Sequence, residues 1–216
     1  MSRGFGPDEL LECYRRGVFP MGEAADDPRL FLIDPDLRGV VPLDRFHVSR
    51  KLRKVILEDR FDVRIDTAFT TVMEECARPA PGRTTTWINS PILNLYSALF
   101  RRGHAHSVEC WRDGELVGGL YGVRVKAAFF GESMFSREAD ASKVALAHLV
   151  AQLIAGGFRL LDTQFVTDHL RQFGVEEIER EEFHEKLEDA LQHDATFPAR
   201  EKLSGQEAMQ LITQTS

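Results

Sequence analysis

Phe129-Phe130-Gly131-Glu132-Ser133-Met134-Phe135-Ser136-Arg137 is the stretch that decides how this chain is read, and Leu160-Leu161-Asp162-Thr163-Gln164-Phe165 is its counterpart further along. Each sets one carboxylate among apolar neighbours. A carboxylate there must be hydrogen-bonded, paired or used, because an isolated buried charge is too costly. Asp162 and Gln164 stand two apart. On a strand both fall on one face, with Leu161, Thr163 and Phe165 on the other. Gly131, beside Glu132, marks a place where a strand bulges or its backbone approaches a ligand. Glu132, Asp162 and Gln164 are therefore expected to meet at one site.

The chain has 216 residues, 43% of them hydrophobic, enough for one sizeable core with a small appended lobe. Its net charge of −7 argues against a generic nucleic-acid binder but leaves room for a local basic patch. Cys13, Cys76 and Cys110 are odd in number and form no C-x-x-C pair, which suits a reduced, cytoplasmic protein without a thiolate metal site. The first residues lack the apolar run of a signal peptide, and no stretch is apolar for long enough to span a membrane.

Pro7-Asp8-Glu9-Leu10-Leu11 opens a short helix that Arg15-Arg16-Gly17 closes, acids first and bases last as the helix dipole favours. Val18 to Met21 turns the chain, residues 22–28 form a loop, and Leu30 to Ile33 forms a short strand. These residues, up to residue 60, are expected as a small N-terminal lobe. Arg45 to Lys54 is the most basic run, with Ser49 placed to cap the following helix. A solvated helix face is the plain reading of such a run. A contact for a polyanion such as tRNA is the sharper one, favoured by the acidity of the remainder.

From residue 61 the pattern is strand (Phe61–Asp66), helix (Thr67–Ala77, Cys76 in its apolar stripe), polar loop (78–86) and helix (Pro91–Arg102). A meander follows over His106–Trp111, Glu115–Gly122 and Val123–Phe130, its first turn marked by Asp113-Gly114. His104 and His106 find no third ligand at a convincing spacing, so packing is the default over a metal site. Asp140 begins an amphipathic helix whose apolar stripe is Leu146, Leu149, Val150, Leu153 and Ile154. The strand bearing Asp162, a short helix from Thr167 to Phe173 and an acidic strand and helix over 175–191 complete a catalytic domain spanning 61–192. Residues 193–216 read as a C-terminal tail, loosely packed from residue 195.

Meander, long helix, strand, short helix, strand is an order that resembles the N-acetyltransferase core. It implies an α/β (α+β) fold, a mixed sheet flanked by helices. In that class a glycine-rich loop at the long helix holds the coenzyme A pyrophosphate. Here the position reads Arg137-Glu138-Ala139-Asp140-Ala141-Ser142, without glycine.

The chain resembles the leucyl/phenylalanyl-tRNA–protein transferase family more specifically, over roughly residues 8–192. The resemblance rests on Tyr14-Arg15-Arg16-Gly17-Val18-Phe19-Pro20, His47-Val48-Ser49-Arg50, Thr86-Trp87-Ile88, Gly103 to Glu109, Glu115 to Gly122, Phe130 to Arg137, Ala141-Ser142-Lys143 and Leu161-Asp162-Thr163-Gln164. It implies transfer of Leu, Phe or Met from aminoacyl-tRNA to the α-amine of proteins beginning with Arg or Lys, creating a signal for proteolysis. It implies no cofactor and no metal, aminoacyl-tRNA being a co-substrate. By matched position, Glu132, Asp162 and Gln164 would line the reacting site. Trp87, Tyr96, Arg50, Tyr14, Met21, Lys51, Arg53 and Lys54 would contact the aminoacyl-tRNA. Leu120, Phe129, Leu146, Leu153 and Leu161 would hold the transferred side chain. Met21 stands where many relatives have tryptophan, and Leu32-Ile33 where a tryptophan pair is usual.

These residue types suit aminoacyl transfer. The substrate ester is already activated, so no nucleophilic Ser or Cys is needed. The acceptor amine, with an ordinary pKa of about 7.7–8.0, has to be neutral and aimed. Asp162 and Gln164 are expected to hold it, with Asp162 helping proton removal directly or by relay, and Glu132 to recognise the cationic acceptor. Three other readings stand beside this one: an acyl-CoA-dependent small-molecule N-acyltransferase, a non-catalytic tRNA or N-degron binding module, and the same chemistry with another aminoacyl or acceptor preference.

Overall fold

The structure, a computed structural model, describes residues 5–79 and 86–214. Residues 80–85 of the expected polar loop and the last two of the tail lie outside the described residues. The N-terminal part begins with α1 (Pro7–Arg15), where Glu9 reaches back to accept from the Gly6 N–H at 3.0 Å. The expected turn at 18–21 is instead β1 (Phe19–Met21), which pairs antiparallel with β2 (Phe31–Ile33).

The main sheet is built from β3 (Leu37–Val40), β4 (Asp62–Ile65), β5 (Ala105–Arg112), β6 (Glu115–Val125), β7 (Ala128–Ser136), β8 (Leu160–Gln164) and β9 (Glu176–Glu179). Its order is β4-β5-β6-β7-β8-β3-β9. Each neighbouring pair is antiparallel except β7 with β8. Parallel neighbours need a crossover, and α5 (Ala141–Gly156) supplies it. This is the mixed sheet with flanking helices that the sequence pattern implies. The lobe expected over 1–60 shares that sheet, because β3 threads between β8 and β9. β6 also runs past the boundary expected at residue 122, through three glycines, to a turn at Lys126. Gly118 keeps the strand close to α5, since a Cβ there would meet Ala141.

Helices cover both faces of the sheet. One face packs against α2 (Arg50–Leu57), α5, the short α6 (Asp168–Arg171) and α8 (Gly205–Gln214) through Leu52, Val55, Ile56, Leu149, Leu170, Met209 and Ile212. Ser49 caps α2 by accepting from the Leu52 N–H. The other face packs against α1, α3 (Phe69–Ala77), α4 (Ser90–Arg101) and α7 (Arg180–Leu191) through Leu10, Tyr14, Val72, Ile92, Tyr96, Phe183 and Leu187.

Two expectations are corrected on the first face. α5 is buried from Val144 to Leu153 without a break, rather than along one stripe. The residues that cover its second side come from the segment expected as a loose tail. Gln152 Nε2 donates to the Arg200 carbonyl at 2.7 Å, and its Oε1 accepts from the Ala199 and Arg200 N–H groups. Phe197, Leu203, Ala208, Met209 and Ile212 close over the rest. A helix carrying His148 and Gln152 opposite its leucines looks half-solvated in isolation; backbone groups of a distant segment satisfy the glutamine instead. Met209→Ala and Ile212→Ala are each expected to lower unfolding free energy by about 2–5 kcal/mol in urea melts. Near-zero values would restore the loose tail.

Candidate active site

Glu132 enters the site through a defect in the sheet. The β6–β7 ladder pairs Gly122 with Gly131 and Tyr121 with Ser133, so Glu132 is an extra residue on β7. A bulge re-aims the side chains beyond it. Phe129 lies in the α5-side core, whereas Phe135, an even number of residues on, lies in the opposite one. Gln164 is turned by a second irregularity, a left-handed φ of 63° at the end of β8. The parallel ladder ends at Phe130 and Asp162, and beyond it Glu132 and Gln164 face each other across the gap.

Glu132 is held by three polar groups from different elements. Tyr14, on α1, donates to its Oε1 at 2.5 Å; Tyr96, on α4, donates to its Oε2 at 3.0 Å. Gln164 Nε2 donates to Oε2 at 3.1 Å, and the two tyrosine hydroxyls are hydrogen-bonded to each other. Burial pushes the Glu132 carboxyl up to about 7, with the Asp162 charge adding to that and the three donors opposing it. Burial, then the Glu132 charge, holds both tyrosine hydroxyls well above their ordinary range.

Asp162 is fully buried and bound at both oxygens by Arg38, on β3. Nε donates to Oδ1 and Nη2 to Oδ2, each at 2.8 Å. Asp162 Oδ1 also accepts the Gln164 backbone N–H at 2.9 Å. Arg38 Nη1 donates to the Gly17 carbonyl at 2.6 Å, and its guanidinium lies 4.2 Å from the Phe183 ring centre and 4.6 Å from that of Phe19. The signal for Arg38 was a lone cation in Leu37-Arg38-Gly39-Val40-Val41, where a buried charge requires a partner.

A cavity of about 360 Å³ opens onto this network. Glu132 and Gln164 are on its wall. Asp162, Tyr14 and Tyr96 are not among its lining residues; they sit in the buried network instead. Of the expected side-chain pocket, Leu120, Leu146 and Leu161 line the cavity. Phe129 and Leu153 belong to the same apolar core without reaching it. Trp87 and Met21 are at its wall as well, joined by Met134, Leu149 and Leu170, which sequence reasoning missed because they read as ordinary core residues. Arg50, Lys51, Arg53 and Lys54 lie elsewhere, exposed on α2. His106 Nδ1 is 2.7 Å from an Asp66 carboxylate oxygen, and no cluster of three or more His, Cys, Asp or Glu among the described residues could hold a metal ion. At the start of α5, where a coenzyme A loop would sit, the Ala141 and Ser142 N–H groups already donate to the Glu138 carbonyl and Ser136 Oγ.

The site is thus an apolar slot beside a buried carboxylate–amide pair. The family model for leucyl/phenylalanyl-tRNA protein transferase matches residues 40–188, and that for the family's N-terminal domain matches residues 5–36. The chain is similar to the leucyl/phenylalanyl-tRNA–protein transferase of Maricaulis maris, 58% identical over 215 residues, covering 99% of this chain and 100% of that one. It is also similar to those of Phenylobacterium zucineum, at 57% over 218 residues (98% and 99% covered), and Caulobacter vibrioides, at 54% over 217 residues (100% of each). The chain belongs to the leucyl/phenylalanyl-tRNA protein transferase family.

The Glu132 carboxyl has a sign that can be checked. Its folded value, about 7, is above the ordinary 4.5, so its contribution to folding is full below pH 4.5 and is lost as pH rises through 7. Glu132→Gln is therefore expected to gain stability relative to wild type across that window, by up to roughly 3 kcal/mol. Denaturant melts across the same range measure it; parallel pH profiles for the two proteins would refute the buried charge.

Proposed function

We propose that this protein transfers Leu, Phe or Met from aminoacyl-tRNA to the α-amine of proteins that begin with Arg or Lys, in the cytoplasm, and so marks them for proteolysis. The observation that carries this reading is the pairing of an apolar slot with Glu132 and Gln164 on one cavity wall. Leu120, Leu146 and Leu161 receive the aminoacyl side chain. Such a wall separates ligands differing by one methylene by only about 1–3 kcal/mol, which fits tolerance of Leu, Phe and Met. Trp87 and Met21 take the aminoacyl-adenosine end.

The chemistry needs positioning more than activation. The acceptor nitrogen attacks the ester carbonyl carbon, the bond to the tRNA 3′ oxygen breaks, and that oxygen leaves with a proton. Gln164, whose Nε2 is engaged by Glu132, has its carboxamide oxygen to accept from the incoming amine. Glu132, as the carboxylate on the cavity wall, draws in the cationic acceptor and takes its excess proton. Asp162 acts through Gln164, whose backbone it holds. Alignment of this kind can supply up to roughly 7–11 kcal/mol of barrier lowering, and a positioned base about 10²–10⁴-fold. A second reading keeps the chemistry and changes its preference. Met21 at the cavity wall favours it, since a flexible thioether replaces a flat ring.

Purified protein with labelled Leu-tRNA, Phe-tRNA, Met-tRNA or Arg-tRNA, and peptides beginning with Arg, Lys, Asp or Glu, tests both. Label is expected on Arg and Lys peptides from the first three tRNAs. Label on Asp or Glu peptides, or from Arg-tRNA, supports the second reading, and no labelled peptide removes both.

The exposed cations of α2 grip tRNA phosphates without reading sequence. Arg50→Glu with Lys54→Glu is expected to weaken tRNA binding and to flatten its dependence on salt by about two phosphate contacts. Filter binding of tRNA over a salt series would show an unchanged slope if this assignment is wrong.

A further inference from the structure

We infer that Arg38 is a positioning residue for the transfer reaction: it locks Asp162 and the turn that follows the Tyr14-bearing helix to one guanidinium and thereby sets the aim of Gln164 at Glu132. Arg38 falls between the segments matched by the two family models, residues 5–36 and 40–188. It joins those same two parts of the molecule. One nitrogen donates to the Gly17 carbonyl, three residues past Tyr14; the other two donate to Asp162 on β8. From Asp162 the connection runs through the Gln164 backbone N–H to the Gln164 side chain and on to Glu132 Oε2. From the Gly17 side it runs through Tyr14 to Glu132 Oε1. Both routes end on the same carboxylate, so Glu132 has its two oxygens placed by elements that Arg38 ties together.

Gln164 makes this dependence sharp. Its left-handed backbone, φ 63°, is one that a non-glycine residue keeps only when its surroundings impose it. The Asp162 carboxylate on its N–H is a side-chain contact that holds it, beside the pairing with Gly39, and Arg38 fixes that carboxylate at both oxygens. Arg38 is 1% exposed, and the rings of Phe19 and Phe183 pack against its guanidinium. It touches neither the cavity nor a substrate, so it acts through Asp162 and Gln164. A lysine would supply charge as a single point, without the planar fork.

The inference rests on the transfer reading and is tested in the full-length protein by Arg38→Ala and Arg38→Lys with Phe-tRNA and an Arg-initiated peptide. Arg38→Ala is expected to lower kcat by about 10–100-fold, the range usual for removing a partner that orients a site residue. KM for Phe-tRNA stays near the wild-type value. The acid limb of kcat moves to higher pH, because the Asp162 charge then bears on Glu132 without its counter-ion. Added guanidinium restores part of kcat. Arg38→Lys, which keeps the charge, is expected to leave the acid limb in place with kcat between the other two. Wild-type kcat and pH profile in either variant overturns the inference. So does a loss in Arg38→Ala that only follows the folded fraction, with an unshifted limb and no rescue. Should Arg38→Ala not fold, Arg38→Lys decides: wild-type kcat overturns the inference, and lowered kcat at unchanged KM supports it. A wild-type protein that labels no peptide refutes the transfer reading itself, whereas labelling unaffected by Arg38 changes refutes this inference alone.

Discussion

The parallel ladder between β7 and β8 stops after Phe130 and Asp162 while both strands continue. That early stop is the constraint on which the site depends. Two local departures from regular strand geometry bracket it, the extra residue at Glu132 and the left-handed backbone at Gln164. Without them a regular sheet would close the gap and put Glu132 and Gln164 back into ordinary strand alternation. With them, two polar side chains converge on one another and a cavity opens beside them.

A gap in a sheet also has to hold charge safely. Asp162 and Glu132 are two carboxylates in neighbouring strands, and they are treated differently. Asp162 is matched by a cation that binds both its oxygens. Among the described residues Glu132 has only neutral donors, two hydroxyls and an amide, so no cation offsets the burial that pushes its carboxyl up to about 7. The difference divides the labour. The ion pair can serve as scaffold because its charge is already compensated, and the uncompensated acid stands at the cavity wall, where the proposed function needs it.

Much of this was legible from residue order. Glu132, Asp162 and Gln164 do come together, the Asp113-Gly114 turn has the positive φ values that its hairpin needs, and Ser49 caps α2. Gly131 marked the bulge one residue early. Other features leave no periodic trace. Asp162 and Gln164 were read onto one face of a regular strand, but the kink at Gln164 sends one to the cavity and leaves the other sealed under Arg38. Tyr14 and Tyr96 sit on apolar helix stripes, where a tyrosine reads as packing and its hydroxyl's destination is a tertiary fact. β3 is too short to show alternation, and which partner its arginine finds is likewise a tertiary fact.

The tail bears on the site by a longer route. Leu146 and Leu149 on α5 form part of the cavity wall. Three residues past Leu149, Gln152 on the same helix is clamped by the backbone of residues 199–200. A leucine on a helix with one face free would shift under a ligand of the wrong shape. A leucine on a helix buried all round meets the resistance of a close-packed interior. The slot proposed to receive an aminoacyl side chain is thus as firm as the cover over the far side of α5. That cover is made by Phe197, Leu203, Met209 and Ile212, from the part of the chain where the sequence pattern is weakest.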